Sequence, residues 1–289
     1  MSTLGRIALP GLLVLLVACS GTTLVYNRLH ILLPWYLGEY VDLDREQGRY
    51  LDRQLAPYLD WHRREELPRY IDLLDRARAL LDAEVAAADI AALQTEVEAA
   101  AGRLQDRALD WLLPLAQRLS DRQIDGFLAA LADKQEEYRD KYLDRDDARY
   151  HRDAFKSLRD NSQDYLGRLD AKQREGLRRA ADRLQRADAA WLAEREQWIA
   201  TLAEILQRQP GWQQRLRDAL AERESRYAAA HRALYQHNVG VIHGAIAELL
   251  NSRSERQDRR LRRELSNLRR DLAILAGCDP AAVTAPAIC

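Results

Sequence analysis

Cys19 stands in the surroundings most specific for one chemistry. Met1 to Arg6 is a short segment with a single basic side chain. Ile7 to Ala18 is an apolar run interrupted by Pro10 and Gly11, and it ends Leu16-Val17-Ala18-Cys19. That order has the form of a lipobox: a branched apolar residue, small residues before the cut, and a cysteine. A thiol so placed is alkylated with a diacylglycerol, the chain is cut before it, and the new amine can be acylated. The run is shorter than the about 20 apolar residues a spanning helix needs, so residues 1–18 read as a signal peptide. Each buried acyl methylene contributes about 0.8 kcal/mol, so several chains hold a protein on a membrane. The competing reading is an ordinary signal peptide with a chance cysteine.

Cys278 and Cys289 stand close together, with Pro280 and Pro286 between them, and a segment so interrupted is not helical. In an oxidising compartment they read as one disulfide closing a small C-terminal loop over 278–289. If that loop is docked, the bridge contributes about 2–3 kcal/mol. Two free thiols or half a metal site are the alternatives, and no histidine stands nearby to complete one.

Six histidines occur, at His30, His62, His151, His231, His237 and His243. The last three are six apart. That spacing turns about 240° per step on a helix, so they face three directions and cannot share one metal ion within it. There is no HExxH, no Cys/His cluster and no GxSxG. With 13 glycines in the chain, a phosphate-cradling backbone loop is hard to build. Tyr235, His237 and His243 cluster around Gly240 and Gly244, which reads as close helix packing. Charged residues make up 31% of the sequence, so acid pairs are everywhere and none is singled out as an acid/base couple. The chain reads as a non-enzyme with no cofactor, no metal and no small-molecule substrate.

One basic cluster stands out. Arg256, Arg259, Arg260, Arg262 and Arg263 lie in one helical stretch with Arg253, Arg269 and Arg270. They are candidates for contact with an anionic surface: phospholipid head groups, lipopolysaccharide phosphates or an acidic protein. The other reading is a solvated face paired with acidic neighbours. The whole chain has a net charge of −1, unlike a global polyanion binder, and the compartment excludes nucleic acid.

The elements that position these residues are all helical. Ala, Leu, Arg, Glu and Gln dominate, and they are good helix formers; no alternating strand pattern appears. After a lipidated linker over 19–24, an all-helical body spans 25–277. Its first segment, 25–40, is rich in large apolar residues and reads as a helix packed into the core. In the competing reading Trp35 and Tyr36 rest at a lipid interface, although Pro34 breaks a continuous amphipathic surface. Helices follow from Asp44 to about Ala83 (kinked or restarted at Pro57 and Pro68), over about 89–113, from Ser120 to about Tyr142, and over about 147–166 with Gly167 closing it. Leu177, Leu184, Trp191, Trp198 and Ile205 are seven apart, which predicts one stripe on a helix of about 40 residues. Leu220, Tyr227, Leu234 and Val241 repeat the spacing after Pro210-Gly211, predicting an antiparallel hairpin with Trp191 and Trp198 facing Tyr227 and Leu234. A last helix carries Leu261, Leu265, Leu268, Leu272 and Leu275 and ends at Gly277.

Three helix starts share one pattern: Leu43-Asp44-Arg45-Glu46-Gln47, Leu119-Ser120-Asp121-Arg122-Gln123 and Leu169-Asp170-Ala171-Lys172-Gln173. Asp or Ser caps a backbone N–H, and Gln three residues on reaches back. These stretches resemble the LTxxQ motif of Spy-like periplasmic chaperones, all-helical cradles that bind unfolded clients, with Thr replaced by Asp, Ser and Asp. The lipobox, Leu33-Pro34-Trp35-Tyr36-Leu37 and Val41-Asp42-Leu43 together resemble an uncharacterised family of bacterial helical lipoproteins that has no assigned activity. Ser20 after the cysteine resembles the outer-membrane sorting class of lipoproteins, where Asp would signal inner-membrane retention.

The expectation is an outer-membrane lipoprotein on the periplasmic face, acting as a helical binding scaffold or chaperone-like factor with envelope proteins as partners. The alternative is an anionic lipid or lipopolysaccharide binder working through the arginine-rich helix. An enzyme such as a peptidoglycan hydrolase would need a deep pocket with converging titratable groups.

Overall fold

Every regular element among the described residues is helical, as the composition predicts. The computed structural model describes residues 22–278; the expected signal peptide over 1–18, Cys19 and Cys289 lie outside them. The elements are α1 (Thr22–Tyr26), α2 (Leu29–Gly38), α3 (Arg45–Trp61), a π turn (His62–Glu66), α4 (Leu67–Leu80), α5 (Ala87–Gln117), α6 (Asp121–Tyr142), α7 (Asp147–Leu166), α8 (Ala171–Arg183), α9 (Asp188–Ile205), α10 (Trp212–Ala221), α11 (Ala229–Asn251) and α12 (Glu255–Ala276). No described helix is long and apolar enough to cross a membrane.

Helix α12 is the central strut. It packs along α4 and α7 and reaches α1 and the π turn. Its leucine face explains this: Leu261 joins the core of α7, α8 and α11, while Leu272, Ala273 and Leu275 join that of α1 and α4. Gly277 ends it in the left-handed region at φ 79°, which glycine adopts without steric cost. Helix α11 lies between α8 and α5, and α6 pairs with α9. A third core forms where α5, α6, α9 and α10 meet, around Leu113, Ile124, Ile205 and Trp212.

The heptad stripe is not one helix. It is broken at 184–187, and α9 leaves α8 to pair with α6. Distant side chains satisfy the backbone groups that the break releases. Asn238 accepts from the Gln185 N–H and donates to the Gln185 carbonyl, both at 2.8 Å. Tyr150 donates to the same carbonyl at 2.9 Å, and His237 Nε2 lies 3.0 Å from the Arg183 oxygen. Trp191 packs against Tyr138 of α6, the rings tilted by 37° with 4.2 Å between centres, and α9 does not pack along α11 as the expected hairpin requires. The second stripe is also interrupted, between α10 and α11. Trp198 is half-buried in the third core with the Arg223 guanidinium over its ring at 4.9 Å. Trp198→Ala is therefore expected to cost about 2–3 kcal/mol in urea unfolding, below the about 3–5 of a fully buried aromatic truncation.

The N-terminal segment also departs from expectation. Helix α1 starts inside the expected linker. Leu29, Leu33 and Leu37 turn inward, but Trp35 is 65% exposed and Tyr36 38%, so the core reading fails for this aromatic pair. Nor are Gly240 and Gly244 close-packing positions: a Cβ at either would meet nothing within 4 Å.

Candidate functional site

The capping glutamines form two interlocks. Asp44 accepts from the Gln47 N–H at 2.9 Å and Gln47 accepts from the Asp44 N–H at 2.9 Å, a closed capping box. The spare amide hydrogens of Gln47 then reach the Arg118 carbonyl at 2.8 Å and Gln123 Oε1 at 3.1 Å. Gln123 reciprocates to Gln47 Oε1 at 2.7 Å and donates to the Asp42 carbonyl at 2.6 Å. A second interlock has the same wiring. Gln173 and Gln257 exchange amide hydrogen bonds at 3.0 and 2.9 Å and donate to Ser252 and Arg168 carbonyls at 3.2 and 3.0 Å. Its second member is a capping box beginning at Ser254, which the reading of α12 as an arginine-rich helix passes over.

Each interlock joins two helix–helix corners, α2–α3 with α5–α6 and α7–α8 with α11–α12. The sequence repeats in step: Leu-Asp-x-x-Gln at 43–47 and 169–173, Ser-Asp-Arg-Gln at 120–123 and Ser-Glu-Arg-Gln at 254–257. One architectural device is thus used twice. Gln173 and Gln257 are both buried, and losing one strands the other's amide and a carbonyl. Gln173→Ala is expected to cost about 1–3 kcal/mol, and more than Gln123→Ala, whose site is half-exposed. Equal small losses by chemical denaturation would contradict this.

The π turn builds a buried cluster of titratable groups. Its wide winding places Glu66 fully out of solvent. The Arg103 fork grips both carboxylate oxygens at 2.8 Å, and Arg69 adds a contact at 3.1 Å. On the same turn His62 Nδ1 lies 2.7 Å from the Tyr26 hydroxyl, with the rings stacked. Burial pulls the His62 pKa down to about 4, against the opposing pull of Glu66, so the ring is neutral at neutral pH. Burial also raises the Tyr26 and Tyr58 hydroxyls to about 12. These groups are packed against rings and helices, and the arrangement seats α1 on the body.

A second buried charge cluster sits at the α8–α9 break. Arg145 binds both oxygens of Asp188 at 3.0 Å, and Asp153 at 3.1 Å. Arg186 adds 3.3 Å to Asp188, and Tyr138 donates to it at 3.2 Å. Neither this cluster nor Glu66 stands out in a sequence with 45 acidic residues.

The arginine-rich helix is split in use. Arg262 binds Asp258 at 2.8 Å, Asp82 at 2.9 Å and the Leu81 carbonyl at 2.9 Å. Burial pushes the Asp258 carboxyl up, but the hydrogen bonds from Arg253 and Arg262 win and hold it below its usual range. Arg260 lies over Gly167 and donates to the Asp164 carbonyl; Arg269 is buried on Asp75 at 2.7 Å. Arg262 is thus held between two carboxylates of the body, while Arg260 is half-buried with its guanidinium on a backbone carbonyl. Arg256, Arg259 and Arg263 remain exposed on one stripe. Arg259 touches Glu255 at 3.4 Å and Arg263 touches Glu264 at 3.6 Å, and exposed pairs of this kind contribute little.

A family model for DUF6279, a family of unknown function, matches residues 39–232, about two thirds of the chain. The chain belongs to the DUF6279 family. Nothing matches it among curated proteins or among solved structures. The DUF6279 region contains the first interlock entire, the π turn and the Arg145–Asp188 cluster. It stops before Gln257, the arginine stripe of α12 and Cys278. Within it, the histidines stay apart: His151 lies 2.8 Å from the Ala181 carbonyl and His231 3.5 Å from Glu194. Outside it, His243 meets Gln94 at 2.7 Å. No group of three metal-ligating side chains occurs among the described residues. Two open depressions, of about 270 and 310 Å³, lie on the surface; one is lined by Phe155, Arg174 and Arg178, the other by Asp44, Gln47 and Arg118.

Proposed function

We propose that this DUF6279 chain is an envelope lipoprotein, cut before Cys19 and held by acyl chains on that residue to the periplasmic face of the outer membrane. The observation that carries the reading is Leu16-Val17-Ala18-Cys19 at the end of a short apolar run, three residues ahead of α1. Cys278 packs beside the α1–α4–α12 core, and its disulfide to Cys289 would tie down the C-terminal tail.

The body then serves as a helical binding scaffold or chaperone-like factor for other envelope proteins. Support comes from how its chemistry is used. Glu66, Asp188, Arg145 and Arg269 are each matched by an opposite charge, and the capping glutamines are consumed at helix corners, so the distinctive polar groups hold the fold. Long helical faces remain to meet partners, and no cofactor or small molecule is invoked.

The exposed stripe Arg256, Arg259 and Arg263 favours the second reading, an anionic lipid or lipopolysaccharide binder. Two assays separate the readings: suppression of aggregation of an unfolded client, and vesicle co-sedimentation with and without anionic lipid. The scaffold reading predicts client protection that persists when the three arginines are changed to glutamine. Salt-sensitive, arginine-dependent vesicle binding without client protection would sink it, because screening over about 8 Å weakens exposed attraction.

A further inference from the structure

The N-terminal helices leave an apolar surface unpartnered. Helix α2 is apolar nearly all round, which suits either burial or contact with lipid. Leu29, Leu33 and Leu37, four apart, face the body. Ile31, Leu32, Trp35 and Tyr36 on the other side are 53%, 40%, 65% and 38% exposed. Helix α1 extends the same patch with Leu24 at 65% and Val25 at 38%. Six of the eight exposed large hydrophobics among the described residues lie in α1 and α2, so the exposed apolar surface is concentrated in the N-terminal segment.

Position and chemistry name one occupant. The patch starts five residues after Cys19, and acyl chains on that residue would hold it within reach of a bilayer. Its composition is that of the head-group boundary: aliphatic side chains with a tryptophan and a tyrosine whose polar ends tolerate water. Arg28, between α1 and α2, is an exposed cation at its margin, suited to phosphate groups. At ten residues, α2 is about 15 Å long, half the about 30 Å of a hydrocarbon core, so it can lie along the interface but not span it. Tyr26 on His62 and Leu29 in the core fix the patch to the body rather than leaving it on a free tether.

We infer that the exposed face of α1 and α2 lies in the head-group region of a phospholipid bilayer, as a second membrane contact that sets how the body stands on its membrane. This rests on the Cys19 reading, and the test separates the two. Trp35 is the one exposed tryptophan of six, so it reports the face directly. The mature protein, purified from membranes, is reconstituted into phosphatidylethanolamine–phosphatidylglycerol vesicles carrying bromine at shallow or deep acyl positions. Shallow bromine is expected to quench tryptophan emission more than deep bromine, and Trp35→Phe is expected to abolish most of that quenching while the circular dichroism stays unchanged. Quenching that survives Trp35→Phe would overturn the inference. So would a protein that floats with the vesicles yet is not quenched, whether the face is in water or covered by a second copy. A mature chain without acyl mass on Cys19 defeats the anchoring reading instead, and quenching of Trp35 in that chain would still uphold the lipid contact.

Discussion

Asp188→Ala is expected to destabilise the protein by about 3–5 kcal/mol, because it leaves a buried guanidinium with too little opposite charge. Asp188 is 1% exposed and the Arg145 side chain 4%. Without the aspartate, Arg145 keeps only half-exposed Asp153. The double change Arg145→Met with Asp188→Leu is expected to recover most of the loss, since a matched apolar pair removes both desolvation costs. Urea unfolding followed by far-ultraviolet circular dichroism measures all three variants. A loss below about 1 kcal/mol for Asp188→Ala would place the pair in the class of solvated surface bridges. A double variant as unstable as the single one would mean that the α8–α9 break needs this polar cluster for its geometry.

The second large effect lies at the π turn. Arg103→Ala removes the fork from Glu66, which no solvent reaches, and leaves it with Arg69 alone; a loss of about 3–5 kcal/mol is expected. The same turn carries a pH dependence. His62 has a folded pKa of about 4 against about 6.5 unfolded. Between those values the unfolded chain binds a proton that the folded one refuses. Stability is therefore full above about pH 6.5 and falls as the pH drops towards 4, by about 2–3 kcal/mol from this group. His62→Gln is expected to flatten that part of the stability curve, measured as the urea midpoint between pH 7 and 4. An unchanged slope would show that the ring takes up its proton without disturbing Tyr26.

Much of this architecture is legible in the sequence, because the signals concerned are local. Asp44, Ser120 and Asp170 cap the helices they were expected to start. Gly167 and Gly277 end theirs at φ 74° and 79°. The leucines of α12 form its buried face. What sequence reading misses depends on distant partners. The heptad spacing through Leu184 is continuous, and the helix breaks there because Asn238, Tyr150 and His237 capture the released backbone. The glutamines are visible as caps, but their pairing across 76 and 84 residues is not. Ser254 and Gln257 did offer a signal, the same spacing as the other boxes, hidden in a run dominated by arginine. Composition alone places Trp35 in the core, whereas the four-residue spacing of Leu29, Leu33 and Leu37 already turns it outward.

Membrane attachment through Cys19 is the central claim, and the intact mass of the mature protein tests it most directly. Protein extracted from envelope membranes is expected to begin at Cys19 and to carry a diacylglyceryl group on the thiol, with or without an acyl group on the amine. An N-terminus at Met1, or a cut chain whose Cys19 has only the mass of an unmodified cysteine, would contradict the account.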